Sequence, residues 1–388
     1  MNERYLLMIP GPIEFDPAVL RAMAAKTGSH VSPDFAEVFG EALEKLREVF
    51  LAPRGQPFVV AGSGTLAMDM AAANLIEPGD RALVVNTGYF SDRFVDVLER
   101  YGAEVVQVKA ELGDVPPPEE VEEALRRDDF KLMAVTHVDT STGVVADVKT
   151  LAGLAQRYGA LSVVDGVCAT AGEECRQEEW GIDVYLTASQ KAIGVPPGLA
   201  LLMAGPRAME IFNQRKAPVA NYYADWACWL PIMEAYEARQ PLYFATPPVN
   251  LIYALRESLG QILAEGMEAR FRRHRIISDA FKAAVSAWKL RQVPLDSGKA
   301  AHTMTTIYYP EGIDRSLLAA IKANGVVVAG GLHPAIKDQY FRVGHMGAVS
   351  AGDILATASA IGRALAASGY ELELGAGVAA AQRVLVQL

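Results

Sequence analysis

Seven short apolar runs rich in valine mark the first half of the chain: FVVA (58–61), ALVVN (82–86), EVVQV (104–108), LMAVTHV (132–138), LSVVD (161–165), DVYLT (183–187) and LALLM (199–203). Most are apolar at consecutive positions, as strands covered on both faces are, whereas a half-exposed strand alternates. Between them lie segments with apolar residues at helical spacing, such as DRFVDVLERYG (92–102) and VKTLAGLAQRYG (148–159). The alternation predicts an α/β fold with an open, mostly parallel, seven-stranded sheet. The first helix is expected over 34–51, with Ser32 as its cap and Pro33 at the first helical position. At 248–266 the rhythm changes to one long helical pattern, followed by the arginine-rich ARFRRHR (269–275). Beyond it, strand candidates (HTMTTIYY, VVVAGG, YFRVGH) mix with helices and predict a smaller C-terminal α+β domain. The expected division is an N-terminal segment 1–16, a large domain 17–262 and a small domain 263–388.

Composition agrees with two cores, because 388 residues with 51% hydrophobic content exceed the usual size of one. A formal net charge of -10 argues against a basic face that tracks phosphates, so no nucleic-acid partner is expected. Pro10 and Pro12 break the one apolar run near the start, and no run approaches the length of a membrane span. Three cysteines, Cys168, Cys175 and Cys228, show neither metal-ligand spacing nor an even disulfide framework. The expectation is a cytoplasmic protein with no metal site and no membrane association.

Ligands of open α/β sheets bind beyond the carboxyl ends of the strands, so the polar residues there carry the chemistry. After FVVA comes GSGT (62–65) and a helix, where glycines admit close approach and free amides favour a phosphate. A tight turn is the plainer reading of the same residues, and GSGTLA also satisfies the degenerate dinucleotide pattern. LSVVD ends on Asp165, a carboxylate behind four apolar or small residues, which needs a cationic or donating partner or serves as a helix cap. LMAVTHV leads into DTSTG (139–143), a cluster of side-chain oxygens that a turn alone would explain. DVYLT leads to Ser189, Gln190 and Lys191, and alone Lys191 would pass as a surface lysine. Together, an anion cradle, a buried acid and a lysine at neighbouring strand ends are what pyridoxal phosphate requires. Lys191 would carry the cofactor covalently and Asp165 would face its pyridine nitrogen.

Read in order, PGPIE, GSHVSPDF, AGSGTLAMD, NTGYFSDRF, THVDTSTGV, VVDGVC, TASQKAIGVPPG, YFATPPV, AGGLH and FRVGHMG resemble the class V, fold type I aminotransferases, and within them the alanine:glyoxylate and serine:pyruvate enzymes. The resemblance spans nearly the whole chain. It implies that Lys191 is the Schiff-base lysine, that Asp165 pairs with the pyridine nitrogen, and that Ser63, Gly64, Thr65 and Gln190 contact the phosphate. Thr140 would donate to the phenolic oxygen and Phe90 would stack on the ring, at positions where relatives often carry serine and tryptophan. Thr65 stands where some members carry histidine. Tyr243 and Thr246 would reach the phosphate bound by the other subunit, so a homodimer is implied. Arg342 would grip the substrate carboxylate, and Pro10, Gly11 and Pro12 would line the substrate pocket. His345 and Met346 either shape that pocket or pack in the core.

The implied reaction is a ping-pong transamination from a small L-amino acid, alanine or serine, to glyoxylate or pyruvate. A 2-aminoethylphosphonate aminotransferase and a cysteine desulfurase share the scaffold. The desulfurase usually has histidine before its lysine, where this chain has Gln190. A nicotinamide dehydrogenase would leave Lys191 and Asp165 without a role. A serine hydrolase at Ser63 would lack the outer glycines of a nucleophile elbow.

Overall fold

Each of the seven apolar runs becomes a strand of one sheet in the computed structural model, which describes residues 5–388. Residues 1–4 of the expected N-terminal segment lie outside the described residues. Across the sheet the order is Gln56–Ala61, Leu199–Ala204, Val184–Ala188, Leu161–Asp165, Leu132–Thr136, Arg81–Asn86 and Glu104–Lys109. Six strands point the same way, and Leu199–Ala204 runs antiparallel to both of its neighbours. Every residue of the three central strands Leu132–Thr136, Leu161–Asp165 and Val184–Ala188 is buried, the condition that the consecutive apolar pattern predicts. The strand expected over 132–138 stops at Thr136, after which Val138 forms only an isolated bridge with Val145.

Thr136 pairs with Asp165 and Asp165 with Leu186, so the carboxyl ends of the central strands finish level with one another. The polar residues that follow them therefore share one edge of the sheet. The helix Pro33–Phe50 starts as expected: the Ser32 hydroxyl accepts the Phe35 N–H at 3.3 Å and Pro33 opens the first turn. It is not the first helix, because Asp16 caps a seven-residue helix, Pro17–Met23, ahead of it. Only Val19 of that helix is buried, too little to register as periodicity.

A second apolar cluster gathers Met8, Phe281, Trp288, Phe341 and Ile361 beneath a three-stranded antiparallel sheet, Ala329–Gly330, Tyr340–Gly344 and Met304–Tyr308. Burying such a side chain contributes about 1.5–3 kcal/mol. The run VVVAGG, read as one strand, divides between two sheets. Val326–Val327 pairs in parallel with Leu6–Leu7, and Ala329–Gly330 pairs with Tyr340–Gly344. The helix Met267–Ala287 serves both clusters, Met267 and Phe271 packing in the first and Ile277, Phe281 and Val285 in the second.

Candidate active site

Beyond the carboxyl edge of the central strands lies a cavity of about 200 Å³, lined by Gly11, Ser63, Gly64, Thr65, Met68, Phe90, Arg93, Val138, Thr140, Asp165, Val167, Cys168, Gln190 and Lys191. Nine of the residues singled out from the sequence thus meet around one space. The helix Gly64–Leu75 begins at its rim. Ser63 is the cap residue, yet its hydroxyl makes no capping bond, and first-turn amides lack intrahelical acceptors by geometry. Gly64 allows this approach: a Cβ there would lie 2.7 Å from Val167 Cγ2.

Lys191 owes its position to the turn around it. Ser189 is buried at the end of Val184–Ala188, where its hydroxyl donates to the Pro196 carbonyl at 2.9 Å and accepts the Leu199 N–H at 3.2 Å. This closes the loop from 189 to 199, with Gly194 at φ 76° making the reversal that a side chain would strain. Lys191 is buried, and its Nζ donates to the Pro10 carbonyl. Gly11 has a left-handed φ of 110°, and a Cβ there would sit 2.6 Å from Lys191 Cδ. The segment before Ile13 is itself tied down, because the Ile13 N–H reaches the Gln190 carbonyl at 3.2 Å. Burial pushes the Lys191 amine below its ordinary range, with the Arg342 guanidinium adding to the effect and Asp165 and Asp139 opposing it.

Asp165 ends its strand 3% exposed, and burial raises its carboxyl to about 6. The Val167 N–H donates to Oδ1 at 2.8 Å, and Lys191 and Arg93 attract the charged form, while Asp139 opposes it. Among the described residues no donor reaches Oδ2, so this oxygen is left for whatever fills the cavity. The turn that follows is fixed by Thr170 and Thr187, whose hydroxyls donate to the Gly166 carbonyl at 2.7 and 3.3 Å.

On the opposite wall, the helix Tyr89–Arg100 is capped by Gly88, which has no side chain to offer. Residues of the DTSTG turn supply the cap from the end of the neighbouring strand. Asp139 Oδ2 accepts the Phe90 N–H at 3.0 Å, and Ser141 Oγ accepts the Tyr89 N–H at 3.2 Å. This fixes Phe90 at the cavity and explains the glycine, since a Cβ on Gly88 would fall 2.9 Å from the Asp139 carboxylate. Thr140 from the same turn is buried, lines the cavity and leaves its hydroxyl without a partner among the described residues.

Arg342 lies just outside the lining, in the strand Tyr340–Gly344. Its Nε donates to the Gly330 carbonyl at 2.8 Å and its Nη1 to the Thr140 carbonyl at 3.1 Å, which binds the small sheet to the cavity wall. Tyr243 and Thr246 do not line the cavity of their own protomer; both are exposed, Tyr243 by 59%. His345 and Met346 are fully buried and also absent from the lining, so both pack in the core. The sequence reading missed Met68, Arg93, Val138, Val167 and Cys168 as lining residues. Two signals were available: Val167 and Cys168 follow Asp165 by two and three residues, and Arg93 follows Phe90 by one helical turn.

The sequence model of the aminotransferase class-V family matches residues 19–352. Over 354 residues the chain is 42% identical to alanine–glyoxylate aminotransferase 1 of Saccharomyces cerevisiae, covering 88% of this chain and 91% of that protein. It is 33% identical to L-aspartate–glyoxylate aminotransferase of Paracoccus denitrificans, over 98% of this chain and 96% of the other. The solved structure of ureidoglycine–glyoxylate aminotransferase from Bacillus subtilis matches with a TM-score of 0.91 at 29% identity, covering 98% of each chain.

Proposed function

The chain belongs to the class V aminotransferase family, and from that premise we propose that it is a pyridoxal phosphate-dependent transaminase carrying an amino group from alanine or serine to glyoxylate or pyruvate. The observation that carries this reading is a buried lysine and a buried aspartate lining one cavity at the edge of a helix N-terminus. The three relatives compared above are named for different amino donors but share glyoxylate, which supports glyoxylate as the acceptor more firmly than any one donor.

The residues fit the cofactor. Lys191 would supply the amine that holds it, Asp165 Oδ2 is free for a protonated ring nitrogen, and Phe90 and Val167 offer apolar lining to a ring. The free amides at Gly64 and Thr65, with the Ser63 hydroxyl and the Gln190 side chain, suit a phosphate. Thr140 has an unused hydroxyl for the phenolic oxygen. When bound, pyridoxal phosphate supplies an electron sink that stabilises the carbanion at the substrate α-carbon. The chain does the rest. Burial lowers the basicity of Lys191 Nζ, and once the substrate amine has taken its place this nitrogen would accept the α-proton and hold it. Asp165 would keep the ring-nitrogen proton in place, because a buried carboxylate whose Oδ2 has no other donor gains most from that contact. Arg342, fixed by the Gly330 and Thr140 carbonyls, retains N–H groups for the substrate carboxylate.

The same reading makes the protein a cytoplasmic homodimer in which Tyr243 and Thr246 complete the partner's phosphate site; their exposure in the protomer and the free state of all three cysteines support it. Among the described residues no helix is long and apolar enough to cross a membrane. A desulfurase needs an accessible reactive thiol. Cys168 and Cys175 are buried instead, burial pushes the Cys175 thiol up to about 12, and the half-buried Cys228 does not line the cavity.

Borohydride reduction of the purified protein followed by peptide mass mapping tests the assignment. The cofactor is expected on Lys191, with Lys191→Ala inactive against a panel of amino donors, aminoethylphosphonate included, and 2-oxo acids. An adduct on another lysine, or transamination by Lys191→Ala at the wild-type rate, overturns it.

A further inference from the structure

Arg93 is the one cavity-lining cation to which the reading above gives no part. Among the described residues the only basic ones in the lining are Lys191 and Arg93, and the only acid is Asp165. The guanidinium is held from several sides. Nη1 donates to Thr65 Oγ1 at 3.2 Å and Nη2 to the Tyr89 hydroxyl at 3.2 Å. Its carbon lies 5.0 Å from the centroid of the Phe90 ring and 5.1 Å from that of Tyr89. Both hydrogen-bond partners are neutral hydroxyls, and Arg93 forms no ion pair among the described residues. Two of its five N–H donors are used, so three remain. A fixed, half-buried guanidinium on a cavity wall, without an ion-pair partner and with spare N–H groups, favours an anion in that cavity.

The charge balance of the cavity says which anion. A phosphate monoester carries about −1.5 to −2 at neutral pH. A helix N-terminus offers about half a positive charge. Lys191 is committed to carrying the cofactor through its amine, and the groups that Tyr243 and Thr246 could bring are uncharged hydroxyls. Arg93 is the remaining cation, and its hydrogen bond to Thr65 sets it beside the first turn of the helix Gly64–Leu75. We propose that Arg93 is the charge partner of the cofactor phosphate, prealigned by Thr65, Tyr89 and Phe90 for a fork-like contact. This assignment rests on the cavity being the pyridoxal phosphate site. It makes one side chain serve both ends of the cofactor: the guanidinium that neutralises the phosphate also lies against Phe90, which lines the ring's part of the cavity.

The test compares ligands that differ only in the phosphate. Full-length wild type, Arg93→Gln and Arg93→Lys are freed of cofactor and titrated with pyridoxal phosphate and with pyridoxal, binding being followed by absorbance. Arg93→Gln should weaken pyridoxal phosphate by about 10- to 100-fold, the scale of a lost charge-assisted contact, and leave pyridoxal within about twofold. Arg93→Lys, which keeps the charge but not the fork, should fall between. Inorganic phosphate should compete with pyridoxal phosphate far better on wild type than on Arg93→Gln. Equal losses for both ligands would assign Arg93 to shaping the aromatic wall, and an unchanged pyridoxal phosphate affinity would remove it from the phosphate site; either result overturns the proposal. Should Arg93→Gln melt below wild type without cofactor, the ratio of the two affinities in Arg93→Lys decides. Failure of wild type to fix the cofactor on Lys191 is a separate outcome, and it overturns the site reading itself along with the role of Arg93.

Discussion

Replacing Asp165 by asparagine should make the cofactor-free protein more stable and the cofactor-bound protein less so. Burial raises the Asp165 carboxyl from an ordinary 3.8 to about 6, a value that already includes the attraction of Lys191 and Arg93 and the Val167 N–H. An acid whose folded value lies above its unfolded one destabilises the native state once it ionises. The cost is absent below pH 3.8, grows between 3.8 and 6, and is complete above. The interval from 3.8 to about 6, at about 1.4 kcal/mol per factor of ten, comes to about 3 kcal/mol at pH 7.5 and about 1 kcal/mol at pH 4.5. Asparagine keeps an oxygen for the Val167 N–H at 2.8 Å and removes the charge. Urea unfolding of cofactor-free wild type and Asp165→Asn at the two pH values measures the difference. Saturating pyridoxal phosphate should reverse its sign, because ligand binding stabilises in proportion to affinity and the ring nitrogen loses its partner in the variant. A variant no more stable than wild type at pH 7.5, or a gain that does not shrink on acidification, would refute the claim that this carboxylate is held charged against its surroundings.

Gly11→Ala should cost far more than a surface glycine substitution. The added Cβ would lie 2.6 Å from Lys191 Cδ and the residue would sit at φ 110°, so Lys191 must move; cofactor incorporation and turnover should both fall by more than about tenfold, while Gly79→Ala, with nothing within 4 Å, should leave turnover unchanged. Mixed dimers test the exchange of Tyr243 and Thr246. Lys191→Ala and Tyr243→Ala/Thr246→Ala proteins, each of low activity, are unfolded together, refolded and assayed. If each site takes its lysine from one chain and its loop from the other, every hybrid holds one intact site, and random pairing restores about a quarter of wild-type sites. No gain over the separate parents would place both residues within one protomer's own site.

The residues that meet at the cavity were readable where they break the pattern of the element that carries them. Asp165 closes a strand whose other residues are all buried, and Lys191 follows another such strand, so the two together raised a question that a shared ligand would answer. The parallel sheet was readable for the same physical reason: strands covered on both faces must be apolar throughout. Direction is not encoded that way, which is why Leu199–Ala204 resembles its parallel neighbours in sequence while running against them. Nor is a change of partner, and VVVAGG gives no sign that its first residues pair with Leu6–Leu7 and its last with Tyr340–Gly344. Arg93 escaped notice because it obeys the local rules. It lies on a strongly amphipathic helix among Asp92, Asp96 and Arg100, where a charged residue needs no explanation. Only the three-dimensional arrangement shows that the charges around it leave it unpaired, and that its turn of helix is anchored by Asp139 from a neighbouring strand end. Asp139 is hidden in the same sense, since a carboxylate in a DTSTG turn is ordinary until the helix it caps proves to be one whose own cap residue is glycine. Sequence thus exposes groups such as Asp165 and Lys191, which violate their context, and conceals groups such as Arg93 and Asp139, which satisfy theirs.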